Sequence, residues 1–391
     1  MDIVKVCIVG IGNIGYAHVM TILSGKVPEM SLVAVCDVNS EKLQAFSKSH
    51  PDVATYLDYR RMLEDANIDA VIVAVPHNLH SEIGIAVLQS GKHLLVEKPV
   101  DIRVSVAKKL NEEAKKSGRV FGIMLNQRTN PLFQKARELV QSGELGEMKR
   151  TVWQITNWFR TQYYYDSGDW RATWRGEGGG VLINQAPHQL DLWQWICGMP
   201  KSVTAFCETA KYHDIEVEDE ATILTRYENG ASGIFITTTG EYPGTNRLEI
   251  SCEKGKLVLE DGVLKLWRLA ENQQYISENT AESFPKIPSE FTQYSIPEKE
   301  DGHLLILQNF AQAVLNGTTL LAPGYDGINE LSISNAAYLS QWLDNAAVEL
   351  PMDEKLFNKL LQERIDKSVY KMQTHTTLQS GEYSSRWNVN W

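Results

Sequence analysis

Three groups of residues in this chain have the types and spacing to do chemistry. Lys98 stands between Glu97 and Pro99 at the end of an apolar run. A lysine partly withdrawn from water loses affinity for its proton and can exchange one with a hydroxyl near neutral pH. A surface lysine at a strand end is the alternative. The second group is the stretch Gly178-Gly179-Gly180-Val181-Leu182-Ile183-Asn184-Gln185-Ala186-Pro187-His188-Gln189-Leu190-Asp191. On one helix, Asn184, His188 and Asp191 would fall at i, i+4 and i+7, all on one face. An imidazole there suits general-base work, and the carboxylate could orient it or bind another hydroxyl. The alternative is a polar stripe whose hydrogen bonds are satisfied internally, and Pro187 warns of a broken turn. The third group runs from Trp158 to Arg175 and includes Arg160, Tyr163 and Trp174. Aromatic faces stack on apolar ring faces while Arg, Asp and Gln bond hydroxyls, so the stretch fits a sugar; a subunit interface favours the same residue types.

The elements that must hold these groups begin with Val4–Val9, an apolar strand running into Gly10-Ile11-Gly12-Asn13-Ile14-Gly15 and then a helix. In this Gly-x-Gly-x-x-Gly turn, the first glycine permits the turn, the second admits a pyrophosphate, and the third allows helix and strand to pack closely. The helix N-terminus offers unpaired N–H groups to phosphates. A second strand, Ser31–Cys36, ends in Asp37, about 20 residues past the last glycine, where a ribose 2′-hydroxyl is read. A carboxylate there repels a 2′-phosphate, and Val38-Asn39 adds no arginine to receive one, so NAD is expected over NADP.

Beyond Asp37, strand and helix keep alternating. Ser40 is positioned to cap a helix. Strands are expected near 55–57, over 70–76, 93–97 and 120–125, with helices near 59–65, up to Gln89, and over 104–116. This alternation predicts a doubly wound parallel sheet with its ligand at the carboxyl ends of the strands. From residue 126 the pattern becomes α+β. A strand is expected over 148–159, a helix over 181–197, and an Asn229-Gly230 hairpin between strands 221–227 and 231–239. More strands follow over 248–251, 256–259 and 263–267, then an irregular polar loop over 271–300 and two helices over 304–315 and 327–343. The expected division is 1–125 for the cofactor and 126–391 for substrate and oligomerisation. One face of a large open, mostly antiparallel sheet needs covering, which a second subunit would do.

The 391 residues suffice for two cores, and the net charge of −11 argues against a nucleic-acid or anionic-membrane surface. No apolar run approaches the ~18 residues of a membrane span. Five scattered cysteines without Cys-x-x-Cys read as reduced thiols in a cytoplasmic protein. The nine histidines lack the spacing of a metal site.

With these residues in view, the chain resembles the glucose-fructose oxidoreductase/inositol dehydrogenase/rhizopine-catabolism (Gfo/Idh/MocA) family. The matching pieces are Gly10–Gly15, Val75-Pro76-His77-Asn78-Leu79-His80, Glu97-Lys98-Pro99, and the glycine-rich stretch ending in His188-Gln189-Leu190-Asp191. The resemblance implies a Rossmann domain followed by an α/β domain with an open antiparallel sheet, assembled as a homodimer or homotetramer. It places Pro76, His77, Asn78, His80 and Glu97 on the cofactor side, with Lys98 and His188 beside the nicotinamide, and implies a cis Lys98–Pro99 bond. Inositol dehydrogenase-like members carry Asp four residues before the histidine, whereas this chain has Asn184. That shifts proton transfer toward His188 and Lys98. The stretch from Trp158 to Asp191 is more similar to members that oxidise the C3 hydroxyl of glycosides and anhydrosugars.

The expected activity is NAD-dependent oxidation of a ring carbinol, at C3 of a pyranose, glycoside or anhydrosugar. His188 would take the hydroxyl proton, Lys98 would assist and stabilise the alkoxide, and Asn184 and Asp191 would orient the sugar. An inositol dehydrogenase, a keto-sugar reductase, a redox-elimination glycosidase and a non-catalytic sugar sensor are the alternatives.

Overall fold

The computed structural model describes residues 3–369 apart from 66, 169 and 297–300, so Asp169 and Pro297 lie outside it. Six strands form the first sheet: β1 (Val4–Val9), β2 (Met30–Cys36), β3 (Ala54–Tyr56), β4 (Ala70–Val73), β5 (His93–Val96) and β6 (Phe121–Ile123). They are all parallel in the order β3-β2-β1-β4-β5-β6. The order reverses between β1 and β4, leaving a crevice at their carboxyl ends. Burial on both faces explains the unbroken apolar runs: all four residues of β4 are buried. Between the strands run α1 (Asn13–Leu23), α2 (Ser40–Ser49), α3 (Tyr59–Leu63), α4 (His80–Gln89) and α5 (Val104–Ser117). The cap of α2 is Asn39, whose side chain accepts from Lys42 N at 3.0 Å; Ser40, the expected cap, lies inside the helix.

Past β6, α6 (Pro131–Gln141) starts with Asn130 accepting from Leu132 N and buries Leu132, Phe133, Ala136 and Leu139 along one side. A second sheet is built on β7 (Met148–Ile155), reached before α7 (Gln162–Tyr165), α8 (Val181–Asn184) and α9 (Pro187–Cys197). The helix expected over 181–197 is therefore two helices, because Pro187 has no N–H to continue the first and begins the second. Then come β8 (Ser202–Thr209), β9 (Glu218–Arg226), β10 (Ser232–Thr238), β11 (Asn246–Cys252), β12 (Gly255–Glu260) and β13 (Val263–Leu269). The stretch expected as a polar loop holds α10 (Gln273–Asn279) and the edge strand β14 (Ser289–Ser295). Only Thr292 and Tyr294 of β14 are even half-buried, so its alternation is too faint to read from sequence.

With the late strand β15 (Val348–Glu349) at one edge, the second sheet has nine strands, ordered β14-β13-β12-β11-β7-β10-β9-β8-β15, antiparallel except where β7 meets β10. One face packs Trp153, Phe235 and Ile223 beneath Trp193 of α9. The other leaves Phe206, Leu224 and Phe291 exposed. The chain then returns to the first sheet through α11 (Gly302–Asn316), with Ile123 N donating to Ala322 O at 3.1 Å. It ends with α12 (Gly327–Trp342), β15 (Val348–Glu349) and α13 (Glu354–Lys367), the last held to α5 by Asn358 Nδ2 donating to Ser105 Oγ at 2.8 Å. Among the described residues no helix is long and apolar enough to cross a membrane, and all five cysteines are free.

Candidate active site

The crevice begins at the glycine turn. Gly10 has φ +89°, and a Cβ there would lie 2.3 Å from Ala74 O; one on Gly15 would lie 1.8 Å from Gly10 O. Only glycine fits either place. A Cβ on Gly12 would meet nothing within 4 Å, so the second glycine borders open space. Gly12 caps the eleven-residue α1 without any side-chain bond to its first N–H groups, and the first turn carries no acid. Asn13 is exposed and Ile14 half-buried beside it. Asp37 accepts from Ile11 N at 3.0 Å and from Asn39 N at 2.8 Å, which fixes its carboxylate against the turn. Space at Gly12, free N–H groups and a fixed acid together fit a dinucleotide.

Across the crevice, the chain leaves β5 through Glu97 and a cis Lys98–Pro99 bond. Burial alone would raise the Glu97 carboxyl, but His18 bonds it at 2.7 Å and holds it down to about 2. Glu97 is 5 % exposed and also accepts from Lys98 N at 3.2 Å, so it braces the lysine from within. Its expected place on the cofactor surface is thereby corrected. Pro76 and Asn78 are exposed at the crevice edge, whereas His77 and His80 are buried. The two ring nitrogens of His80 face Pro99 O at 2.6 Å and Val75 O at 2.8 Å, tying the turn after β4 to the one after β5. His80 is 1 % exposed and shapes the crevice without lining it, a second correction. His77 Nδ1 meets Glu177 O at 3.1 Å, and burial pushes its pKa well below the ordinary value.

The second domain presents α8 and α9 to Lys98. Gly178 and Gly179 have φ +82° and +156°, and a Cβ on Gly180 would lie 1.9 Å from Glu218 O. Glu218, 1 % exposed, accepts from Gly180 N at 3.0 Å, Leu182 N at 2.9 Å and the Tyr338 hydroxyl at 2.7 Å. A carboxylate thus replaces an ordinary cap for α8. Burial raises it to about 7 against these bonds. At the far end of α8, Lys98 Nζ donates to Asn184 O at 3.0 Å. The lysine's pKa is lowered by burial, which Glu97, Glu330 and Glu177 oppose. His188 at the start of α9 is 5 % exposed, its pKa well below the ordinary value through burial and then the Lys98 charge. It is therefore neutral at pH 7, and its Nδ1 has no partner among the described residues. A neutral imidazole beside an ammonium gives a proton acceptor and an oxyanion stabiliser in one crevice.

Asp191, three residues past His188 on the same helix, is claimed by partners in the interior. Arg128 clamps it through Nε at 2.8 Å and Nη2 at 2.6 Å, and Gln194 donates at 3.0 Å. At 1 % exposure, with both oxygens taken, Asp191 has no room to orient a sugar. Trp174 also belongs to the interior, its ring 5.4 Å from Tyr338 and 5.6 Å from Trp342. Trp158 is 4 % exposed, with Arg160 Cζ 6.0 Å from its ring. Arg160 itself donates to Trp158 O and Phe159 O. Tyr163 points outward, 51 % exposed, while its neighbour Tyr164 faces Asn184. The Tyr164 hydroxyl oxygen accepts from Arg171 at 2.9 Å, Gln185 at 3.3 Å and Asn184 at 3.4 Å.

Sequence reasoning passed over Glu177. It is 2 % exposed, accepts from Ala172 N at 2.7 Å and from Asn184 Nδ2, and is raised to about 7 chiefly by burial. Its signal was its place directly before three glycines in a stretch otherwise rich in aromatics.

The oxidoreductase family with an NAD-binding Rossmann fold matches residues 4–125, and the GFO/IDH/MocA C-terminal domain matches residues 133–258, together more than half of the chain. The myo-inositol 2-dehydrogenase of Thermotoga maritima is 24 % identical over 341 residues, covering 85 % of this chain and 95 % of that protein. The WlbA dehydrogenase of Bordetella pertussis, solved with NADH and UDP-GlcNAcA, superimposes with a TM-score of 0.74 at 26 % identity, over 90 % of this chain and all 100 % of the other. A levoglucosan dehydrogenase solved with NADH and levoglucosan shares the fold at 20 % identity and a TM-score of 0.74, over 90 % and 100 % of the two chains. With the glycine turn, the Glu97-Lys98-Pro99 corner and the helix bearing His188 joined in one crevice, the chain belongs to the GFO/IDH/MocA family as an NAD-binding oxidoreductase.

Proposed function

We propose that this protein oxidises a ring carbinol of a sugar, glycoside or anhydrosugar, with C3 as the reacting position. The observation that carries the reading is the meeting of Lys98, from the first domain, with Asn184 O in the second, next to a neutral His188. NAD, when bound, supplies the hydride acceptor. His188 takes the hydroxyl proton, and Lys98 holds the developing alkoxide. Asn184 bonds a neighbouring hydroxyl, and Arg160 and Tyr164 form the outer wall. Burial around Lys98 and His188 strengthens each of these interactions relative to water. The names of the relatives favour a second reading, an inositol dehydrogenase, since two of them are a myo-inositol 2-dehydrogenase and a scyllo-inositol 2-dehydrogenase.

NADH formation on a panel of glycosides, anhydrosugars, inositols and uronic sugars, with NAD and NADP in parallel, separates these readings. Lys98→Ala is expected to abolish turnover while NADH still quenches or enhances fluorescence as in the wild type; unchanged turnover sinks the mechanism. The exposed face of the nine-stranded sheet, with Phe206, Leu224 and Phe291, is our proposed subunit contact. Light scattering that gives a monomer mass overturns that assignment.

A further inference from the structure

Asn184 has two chemically different ends, and its neighbours determine which one faces where. Its Nδ2 donates to Glu177 Oε1 and lies 3.4 Å from the Tyr164 hydroxyl oxygen. In its ionised form, which the Arg171 and Lys98 charges favour against burial, the Glu177 carboxylate only accepts, so the nitrogen end is turned toward it and Oδ1 is left as an acceptor on the other side. Glu177 is itself fixed: Oε2 takes Ala172 N at 2.7 Å, and its backbone carbonyl meets His77. The charged groups around Lys98 are Glu97, Glu330, Glu177 and Arg171. Glu97 is engaged by His18. Glu330 is 0 % exposed with neither oxygen partnered among the described residues, and burial pushes its pKa well above the ordinary value. Glu97 therefore faces Lys98 as a charged carboxylate from the strand end, and Glu177 stands on the second-domain side with Arg171 nearby.

We propose that Glu177 is the positioning carboxylate of the reaction centre, fixing Asn184 with its oxygen toward a substrate hydroxyl and adding, from the second domain, to the negative charge that Glu97 presents to Lys98. This rests on the reading that Lys98 handles the hydroxyl proton. One consequence concerns selectivity. The group read by Asn184 Oδ1 must be a donor, a hydroxyl, and a ring carrying a carbonyl at that position is rejected because an acceptor would then face an acceptor.

The test compares wild type, Glu177→Gln, Asn184→Asp and the double variant E177Q/N184D, which moves the carboxylate to the other end of the same hydrogen bond. The first readout is the pH midpoint for labelling of Lys98 by an amine-reactive reagent, followed by mass spectrometry without substrate. The second is kcat and KM for whichever substrate the wild type oxidises, with NADH binding and thermal melting as controls for folding. Removing the carboxylate in E177Q is expected to lower the labelling midpoint and to cut kcat by ~10-fold or more, the weight of one charge-assisted hydrogen bond. The double variant is expected to restore the midpoint and much of the rate. A midpoint in E177Q equal to the wild-type one overturns the proposal, as does a double variant no better than E177Q. If E177Q fails to fold, Glu177→Asp keeps the charge but withdraws it by one methylene; its midpoint is expected to fall below the wild-type one, and an unchanged midpoint overturns the proposal. A wild type that oxidises nothing in the panel sinks the functional reading alone, because the labelling midpoints need no turnover.

Discussion

Gly12 and Gly15 stand three residues apart in the same turn, yet the surrounding atoms constrain them oppositely. A Cβ at 15 would lie 1.8 Å from Gly10 O, so Gly15→Ala must push α1 off β1. Overpacking of this kind costs ~1–3 kcal/mol and sometimes more. A Cβ at 12 meets nothing of the protein, so Gly12→Ala should leave stability within about 1 kcal/mol of the wild type. It should nonetheless weaken NADH binding by ~10-fold or more, roughly 1.4 kcal/mol, since the methyl enters the space the pyrophosphate needs. Paired melting and fluorescence titrations check this, and equal NADH affinity in G12A and wild type would contradict the placement of the cofactor. The turn was legible because its glycine spacing is a local pattern, although the atom that excludes a side chain at Gly10 is Ala74 O across the sheet. Glu177 and Tyr164 were not, because what makes them relevant is contact with Asn184 across a fold that one-dimensional spacing does not encode.

At the scale of the element, α8 is a single turn whose two ends are held by different parts of the molecule. Glu218 of β9 and Tyr338 of α12 grip its start, and Lys98 grips its last carbonyl. Without these bonds a four-residue helix has too few internal hydrogen bonds to persist. Burial raises Glu218 from 4.5 to about 7, so the folded state binds a proton that the unfolded state has released. By linkage, this group lowers stability as pH rises from about 4.5 to about 7. Glu218→Gln removes that dependence, so its melting temperature relative to wild type is expected to rise through this window and level off above it. A difference that is flat with pH would show that Glu218 is already ionised at the acid end. The sequence shows Gly178–Gly180 and warns of a break at Pro187, but it does not show that Arg128 holds Asp191 in the interior.

Across the whole molecule, Arg128 joins the segment after β6 to both α9 and the turn before α12. It is 1 % exposed and bonds Asp191 twice and Asp326 at 2.6 Å. Removing one partner of a buried pair leaves a charge without compensation, at a cost of ~3–5 kcal/mol. Arg128→Met is therefore expected to lower the urea and thermal midpoints strongly, and adding Asp191→Asn should recover part of the loss. An R128M protein that melts as the wild type does would show that the clamp contributes little. If the clamp also fixes how the second domain faces the crevice, turnover in R128M should fall at temperatures well below its melting point.

By itself the sequence determined the features whose cause lies within a few residues. These are the parallel sheet, from runs buried on both faces; the dinucleotide turn, from the spacing of its three glycines; and the lysine at a strand end that opens on the crevice. Only the tertiary structure decided which polar side chains belong to the site. Asp191 and Trp174 had suitable types and suitable spacing, but Arg128 and the Tyr338–Trp342 stack claim them. Glu177 had a suitable type but no telling spacing, and the fold carries it to Asn184. The physical reason is that a polar group's role depends on what is left to bond it after the core has closed, and that is set by neighbours distant in sequence.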